Sequence, residues 1–114
     1  MKICGIDIGL SGGICIYNKY NDFSLYKMPN AKISNKNDID IKNLFDIFDK
    51  ENPEIIIYEK LNNMYGFSKN TMFSIGRQIG YIRAYCEIRN VISFAVEPKK
   101  WQSYIYKDIP IIDF

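Results

Sequence analysis

The stretch that decides the fold lies near the amino terminus and reads Ile3-Cys4-Gly5-Ile6-Asp7-Ile8-Gly9-Leu10-Ser11-Gly12-Gly13. Its β-branched first half predicts a strand and its glycine-rich second half predicts a turn. An apolar run over 13–17 completes a β-hairpin, and the alternating residues 23–28 predict a third antiparallel strand. Asp7 is the informative residue, because an unpaired carboxylate buried in an apolar strand costs several kcal/mol and needs a partner.

Beyond Pro29 the pattern changes to helices alternating with strands. After a polar segment over 30–37, the predicted elements are a helix over 38–50 with Asp38 and Asp40 at its start, a strand over 54–58, a helix over 70–90, a strand over 91–96 and a helix start at Pro98. The sequence therefore predicts one α/β domain over residues 1–114. Its mixed sheet has three antiparallel strands, then two parallel strands, with flanking helices.

Composition removes several classes of function. With 47% apolar and 25% charged residues, the 114-residue chain is neither disordered nor a disulfide scaffold. A formal net charge of +2 neither demands nor forbids a nucleic-acid partner. The absence of His excludes Ser-His-Asp triads, His-based zinc sites and His general bases.

Cysteine usage and hydropathy address the compartment. Cys4, Cys15 and Cys86 are odd in number and scattered, so we expect three core thiols in a reducing compartment. Asp7 interrupts the apolar amino terminus, which argues against a signal peptide, and no apolar run reaches membrane-spanning length. These features predict a cytoplasmic protein without a membrane partner.

Two carboxylates stand at corresponding places in the predicted sheet. Alternation puts Asp7 on one face with Ile3 and Gly5, and Glu59 on one face with Ile55 and Ile57. If the two strands are neighbours in register, the carboxylates lie within roughly 5 Å and can share a divalent ion. Oxygen ligands favour Mg²⁺ or Mn²⁺ over Zn²⁺. The alternative is that Asp7 caps the following turn and Glu59 is a surface residue.

The glycine-rich turn over 9–13 has a second interpretation. An Asp followed by a glycine turn between hairpin strands also occurs in actin-like ATPases, where the turn holds phosphate. Those proteins close two such domains on the nucleotide, and this chain has one. A plain hairpin turn is therefore favoured over a nucleotide-binding loop.

The order of the motifs resembles the RuvC-like Holliday junction resolvases of the RNase H-like superfamily. The segments that carry the resemblance are residues 3–13, Ile55-Ile56-Ile57-Tyr58-Glu59-Lys60, Gly76-Arg77-Gln78-Ile79-Gly80, and Val96 to Pro98 with Trp101-Gln102. The resemblance implies an RNase H-like fold, a homodimer, and cleavage of branched DNA in recombination, repair or phage DNA processing. It also implies two-metal hydrolysis, with Asp7 and Glu59 as the first and second catalytic carboxylates and metal ligands.

The family completes its metal site with acids on a later C-terminal helix, and this chain ends before the corresponding position. The resemblance therefore implies an incomplete, C-terminally truncated domain that lacks the last helix. Glu97, Asp108 and Asp113 are the acids near the end, and none has the expected context. Two functions follow: a metal-dependent junction endonuclease, or a catalytically inactive DNA-binding module. A third hypothesis, less favoured than these two, is an actin-like nucleotide-binding fragment.

Candidate DNA contacts cluster after the predicted parallel strands. The basic candidates are Lys60, Lys69, Arg77, Lys99 and Lys100, and the candidate base-stacking residues are Tyr65 and Phe67. The alternatives are charge that is simply dispersed over the surface and loop aromatics that pack into the core. Trp101 is interpreted as a core residue.

The helix over 70–90 carries small residues four apart, Gly76, Gly80 and Ala84. Such a stripe allows close approach either to the sheet or to a second subunit, and the sequence does not separate these two roles. Because the last helix is expected to be missing, we also expect one exposed sheet face, with oligomerisation or marginal stability as its consequence.

Overall fold

The computed structural model describes residues 1–18, 22–60 and 66–97. Over these residues the elements are β1 (Ile3–Asp7), β2 (Gly13–Tyr17), β3 (Phe23–Lys27), β4 (Asn30–Ile33), β5 (Lys36–Ile39), α1 (Ile41–Glu51), β6 (Ile55–Glu59), α2 (Lys69–Arg89) and β7 (Ile92–Val96). The helix start predicted at Pro98 lies outside the described residues. No helix in the described ranges is long and apolar enough to cross a membrane.

Five strands form one mixed sheet in the order β3-β2-β1-β6-β7. The pairs β1–β2 and β2–β3 are antiparallel, and the pairs β1–β6 and β6–β7 are parallel. The predicted mixed sheet is thereby confirmed. Since β2 alone runs in the opposite direction, the carboxyl ends of the other four strands lie along one edge of the sheet.

The sequence predicts a polar segment without strands over 30–37, and the prediction that no strand forms there is wrong. The segment forms most of a separate hairpin in which Asn30 pairs with Ile39 and Ile33 pairs with Lys36. Ser34 and Asn35 at its tip have positive φ angles of 53° and 64°, as a two-residue hairpin turn requires. The residues of this hairpin show no clear alternation of apolar and polar side chains. Its only sequence signal is therefore the pair of turn-forming residues at the tip, Ser34 and Asn35.

Both helices have capping residues at their two ends. Asp40 accepts a hydrogen bond from the backbone N–H of Asn43, and Ser68 accepts one from that of Thr71. Each helix ends at an Asn in the left-handed conformation. Because α1 begins after Asp40, Asp38 belongs to β5 and not to the first turn of the predicted helix.

The core lies between one sheet face and the two helices. Its buried members are Cys4, Ile6, Ile14, Ile16, Met28, Ile39, Leu44, Phe48, Ile56, Tyr58, Ile82, Tyr85 and Cys86. Burial raises the pKa of the Cys4 thiol to about 12, which keeps it protonated. Cys15 is only half-buried and points to the opposite sheet face, so the prediction of three core thiols is correct for two of them.

The opposite sheet face is apolar and open over the described residues. Phe23 and Leu25 at one edge are 64% and 78% exposed, and Ile92 and Phe94 at the other edge are 56% and 52% exposed. Register places these side chains on the same face as Asp7. Within the described ranges, the predicted exposed sheet face is therefore present.

Candidate metal and nucleic-acid site

Asp7 and Glu59 lie side by side at the carboxyl ends of β1 and β6. The last paired residues of these strands are Ile6 and Tyr58, so Asp7 and Glu59 occupy the next position on each strand. Adjacent strands are about 4.8 Å apart, and both side chains face the open side of the sheet. They line a cleft of about 640 Å³ together with Gly5, Ile6, Ile57, Tyr58 and Val96. The adjacency predicted from strand alternation is present.

The charge of this pair is not neutralised by ion pairs within the described residues. Over residues 1–18, 22–60 and 66–97, neither carboxylate takes part in an ion pair within 4.0 Å. Asp7 is exposed at the end of its strand, so the burial cost expected from the sequence does not arise. Two adjacent like charges repel each other, and a bound cation relieves that repulsion.

The turn after Asp7 does not depend on its carboxylate. The backbone N–H of Gly12 donates to the carbonyl of Gly9 at 3.0 Å, and Gly9 has a φ of +142°. A Cβ on Gly12 would lie 1.9 Å from the carbonyl oxygen of Asp7, so only glycine fits there. The chain thus folds back directly against the end of β1. The predicted hairpin turn is therefore present.

Gln78 was not predicted as part of the site. It is 3% exposed on α2, and its Oε1 accepts a hydrogen bond at 2.8 Å from the backbone N–H of Gly9. Its Nε2 donates to Ser74 Oγ at 3.1 Å. Gln78 therefore ties the loop after Asp7 to α2. The available signal was an amide side chain within the buried stripe that contains Ile75 and Ile82.

Only some of the predicted DNA-contact residues lie within the described ranges. Lys60 is exposed directly after Glu59, and Lys69 is exposed at the first position of α2. Phe67 is 45% exposed, so the alternative that it packs into the core is wrong. Tyr65, Lys99 and Lys100 lie outside the described residues, as does Trp101.

Arg77 lies beside the loop that follows Asp7. It lines a groove of about 780 Å³ between that loop, β5 and the first half of α2, and Lys36 lines the same groove. The Arg77 guanidinium also forms an ion pair with Asp38 at 3.2 Å. This contact orients Arg77 and offsets part of its charge.

The stripe of small residues on α2 faces away from the sheet. A Cβ built on Gly76 or Gly80 would meet nothing within 4 Å, and Ala84 is exposed. Phe73 and Ile88, near the two ends of the stripe, are 70% and 66% exposed. Of the two roles that the sequence left open, packing on the sheet is thus wrong within the described part of the chain.

Similar solved structures share this arrangement of elements. RuvC of Thermus thermophilus in complex with a Holliday junction substrate is 12% identical, with a TM-score of 0.67 over 90% of this chain and 68% of that chain. The chain has a RuvC-like fold. The yeast mitochondrial Holliday junction resolvase Ydc2 is 18% identical, with a TM-score of 0.61 over 94% of this chain and 55% of that chain.

The RuvC-like fold that the motif order predicts is confirmed by the comparison with solved structures. No protein-family model matches the sequence, and no curated protein matches it. At 12% and 18% identity the fold persists while most side chains differ. The chemistry of the site must therefore be argued from this chain's own residues.

The donor set at the cleft fits a small divalent cation. Mg²⁺ is commonly held in proteins by one or two carboxylates while it keeps several waters, and Asp7 and Glu59 supply two carboxylates on an open cleft. No group of three or more His, Cys, Asp and Glu side chains capable of holding a metal occurs in the described ranges. The pair is therefore the candidate metal site of the described fold.

Proposed function

We propose that this protein is a metal-dependent endonuclease that cleaves branched DNA such as Holliday junctions. The observation that carries the proposal is the pair of adjacent carboxylates, Asp7 and Glu59, at the carboxyl edge of the sheet, where neither forms an ion pair with a described residue. Its RuvC-like fold supports the proposal, because two solved structures with that fold are Holliday junction resolvases. We expect the protein to act on cytoplasmic DNA.

Asp7 and Glu59 are the residues that would hold Mg²⁺ or Mn²⁺. The chemistry that such an ion supplies when bound is Lewis-acid stabilisation of charge on phosphate oxygens and activation of water. The two carboxylates provide negative ligands from two different strands. Gln78 holds the loop that follows Asp7 and so keeps the end of β1 in place.

The surrounding side chains would bind DNA on either side of the cleaved bond. Lys60 and Lys69 are exposed cations suited to phosphate contacts, and Arg77 lies beside the loop after Asp7. Phe67 is an exposed aromatic just before α2 that suits stacking on an unpaired base. Lys99, Lys100 and Tyr65 remain proposed contacts on the strength of the sequence.

The outward stripe of α2, formed by Phe73, Gly76, Gly80, Ala84 and Ile88, is the proposed homodimer surface. It combines small residues, which allow a close approach, with two large exposed apolar side chains. Exposed apolar side chains in one contiguous patch mark interaction surfaces. A dimer would present two metal sites to the two strands that a resolvase must cut.

A catalytically inactive DNA-binding module is the second candidate. The observation that favours it is the number of acids, because the described residues bring only two carboxylates together at the cleft. Such a module would bind junctions through the same cations without cutting them. Cleavage itself separates the two candidates.

The test is a cleavage assay on a synthetic four-way junction with Mn²⁺ or Mg²⁺, analysed on a denaturing gel beside a linear duplex. We expect symmetric nicks from the wild-type protein and none from Asp7→Asn or Glu59→Gln. Asp46→Asn is the matched control, because Asp46 is an exposed acid on α1 that pairs with Lys42. Nicks that persist in Asp7→Asn would contradict the proposal, and binding without nicks would favour the inactive module.

A further inference from the structure

A lysine lies in the same transverse row of the sheet as the two carboxylates. Across the strands, Lys27 pairs with Gly13, and Gly13 pairs with Asp7. On the other side of Asp7, Glu59 follows on β6 and pairs with Val96 on β7. Residues that are paired across strands share a face, so Lys27 faces the open side together with Asp7 and Glu59.

The residue between Lys27 and Asp7 has no side chain. Lys27 and Asp7 are two strand spacings apart, about 10 Å, and Gly13 fills the intervening place with backbone only. The same residues line a groove of about 710 Å³ that also includes Gly12 and Leu25. An elongated group lying over Gly13 would therefore have the carboxylate pair at one end and the Lys27 ammonium at the other.

The charge of Lys27 is available for a ligand. Lys2, Lys42 and Arg77 each form an ion pair with a nearby acid. Lys27 is exposed and takes part in none of the ion pairs of the described ranges. It is also the cation that closes the row at the β3 edge.

We propose that Lys27 binds a backbone phosphate of the DNA that lies across Gly13, at or next to the phosphodiester that is cleaved. This inference rests on the proposed function and adds a phosphate-binding position to it. Ammonium groups bind phosphate as compact point charges, and here the cation lies on the side of the cleft away from Glu59. Lys27 is a positioning residue that holds the DNA strand against the carboxylate pair.

A purely protective role would give Lys27 a different signature. β3 is an edge strand, and lysines on edge strands discourage association with other sheets. That role predicts self-association when the charge is removed and no change in DNA binding. Phosphate binding predicts the reverse.

The first measurement is the salt dependence of binding to a fluorescent four-way junction, with Ca²⁺ in place of Mg²⁺ and the DNA checked for intactness on a gel. Each Lys27 that contacts a phosphate contributes about 0.9 to the slope of log affinity against log salt for duplex DNA. We expect Lys27→Met to lose that contribution and Lys27→Arg to keep it. Lys32→Met is the matched control, because Lys32 is an exposed lysine on β4, outside the five-stranded sheet.

The second measurement locates the phosphate by replacing single central phosphates with uncharged methylphosphonates. The difference in affinity between wild type and Lys27→Met should vanish when the contacted phosphate is neutralised, and persist elsewhere. An unchanged salt slope in Lys27→Met, or a difference that survives every replacement, would overturn the proposal. If wild type binds but does not cut, the cleavage proposal fails while these two readouts still decide the role of Lys27.

Discussion

The Oε1 atom of Gln78 accepts a hydrogen bond at 2.8 Å from the backbone N–H of Gly9, two residues after Asp7. Gln78 is buried on α2, so this contact fastens the loop that follows the first carboxylate to the longest helix in the described part of the chain. The position of Asp7 therefore depends on a side chain that does not touch the cleft.

Gln78→Met removes the acceptor while keeping the length of the side chain. We expect it to lower the free energy of unfolding by about 1 kcal/mol, because the N–H of Gly9 loses its partner. Junction cleavage should fall more than junction binding, since the loop after Asp7 is released. Ser74→Ala is the control, because it removes only the partner of Gln78 Nε2. Equal cleavage rates in wild type and Gln78→Met would contradict this role.

We expect Glu51 to make a contribution to the free energy of unfolding that is lost in acid. The Tyr26 hydroxyl donates to Glu51 Oε1 at 2.5 Å and lowers the pKa of Glu51 below its ordinary value of 4.5, and Lys2 adds to that effect. A lowered folded-state pKa stabilises the fold above the unfolded-state pKa, and this contribution is lost as pH falls through the folded-state value.

Urea unfolding as a function of pH measures this effect. The stability difference between wild type and Tyr26→Phe should be full at pH 7 and should shrink below about pH 4.5 as Glu51 gains a proton. Glu51→Gln should remove the corresponding part of the pH dependence. A difference between wild type and Tyr26→Phe that stays constant from pH 7 to pH 3 would show that Glu51 does not carry it.

We expect Phe67 to bind unpaired bases selectively, because its ring is exposed. We expect Phe67→Ala to weaken junction binding by about 1–3 kcal/mol, the range for loss of one stacked base, and to leave binding to a linear duplex unchanged. Fluorescence anisotropy with both DNAs measures this. Phe23→Ala is the control, because Phe23 is an exposed aromatic at the other edge of the sheet. Equal losses on both DNAs would assign Phe67 a general contact and not a stacking role.

Two substitutions at Gly80 test the outward stripe of α2, one through helix stability and the other through dimer formation. Gly80→Ala should raise the stability of the helix by about 1 kcal/mol, because its Cβ meets nothing within 4 Å in the single chain. Gly80→Arg should keep the helix and abolish the proposed dimer. Sedimentation measures the oligomeric state, and thermal unfolding shows that both variants fold. An unchanged dimer in Gly80→Arg would exclude this stripe as the interface.

Strand alternation could be predicted because it follows from side-chain spacing, and the mixed sheet could be predicted from the order of strand and helix patterns. The adjacency of Asp7 and Glu59 required only period-two counting and one parallel pairing. The direction of the α2 stripe could not be predicted, because Gly76 and Gly80 share their helix with apolar residues on both sides. The Gln78 contact joins residues 69 positions apart, and no local pattern encodes such a pairing.

Asp7 and Glu59 lie at the ends of two neighbouring strands, β1 and β6. The site is therefore sensitive to insertions and deletions within these strands. A slip of one residue in the pairing of β6 with β1 would carry Glu59 to the helix-covered side and leave Asp7 facing a neighbour of another kind. The β4–β5 hairpin has no such constraint, since its exposed tip at Ser34 and Asn35 can lengthen without altering any strand of the main sheet. Insertions and deletions should therefore accumulate in the hairpin and be selected against within β1 and β6.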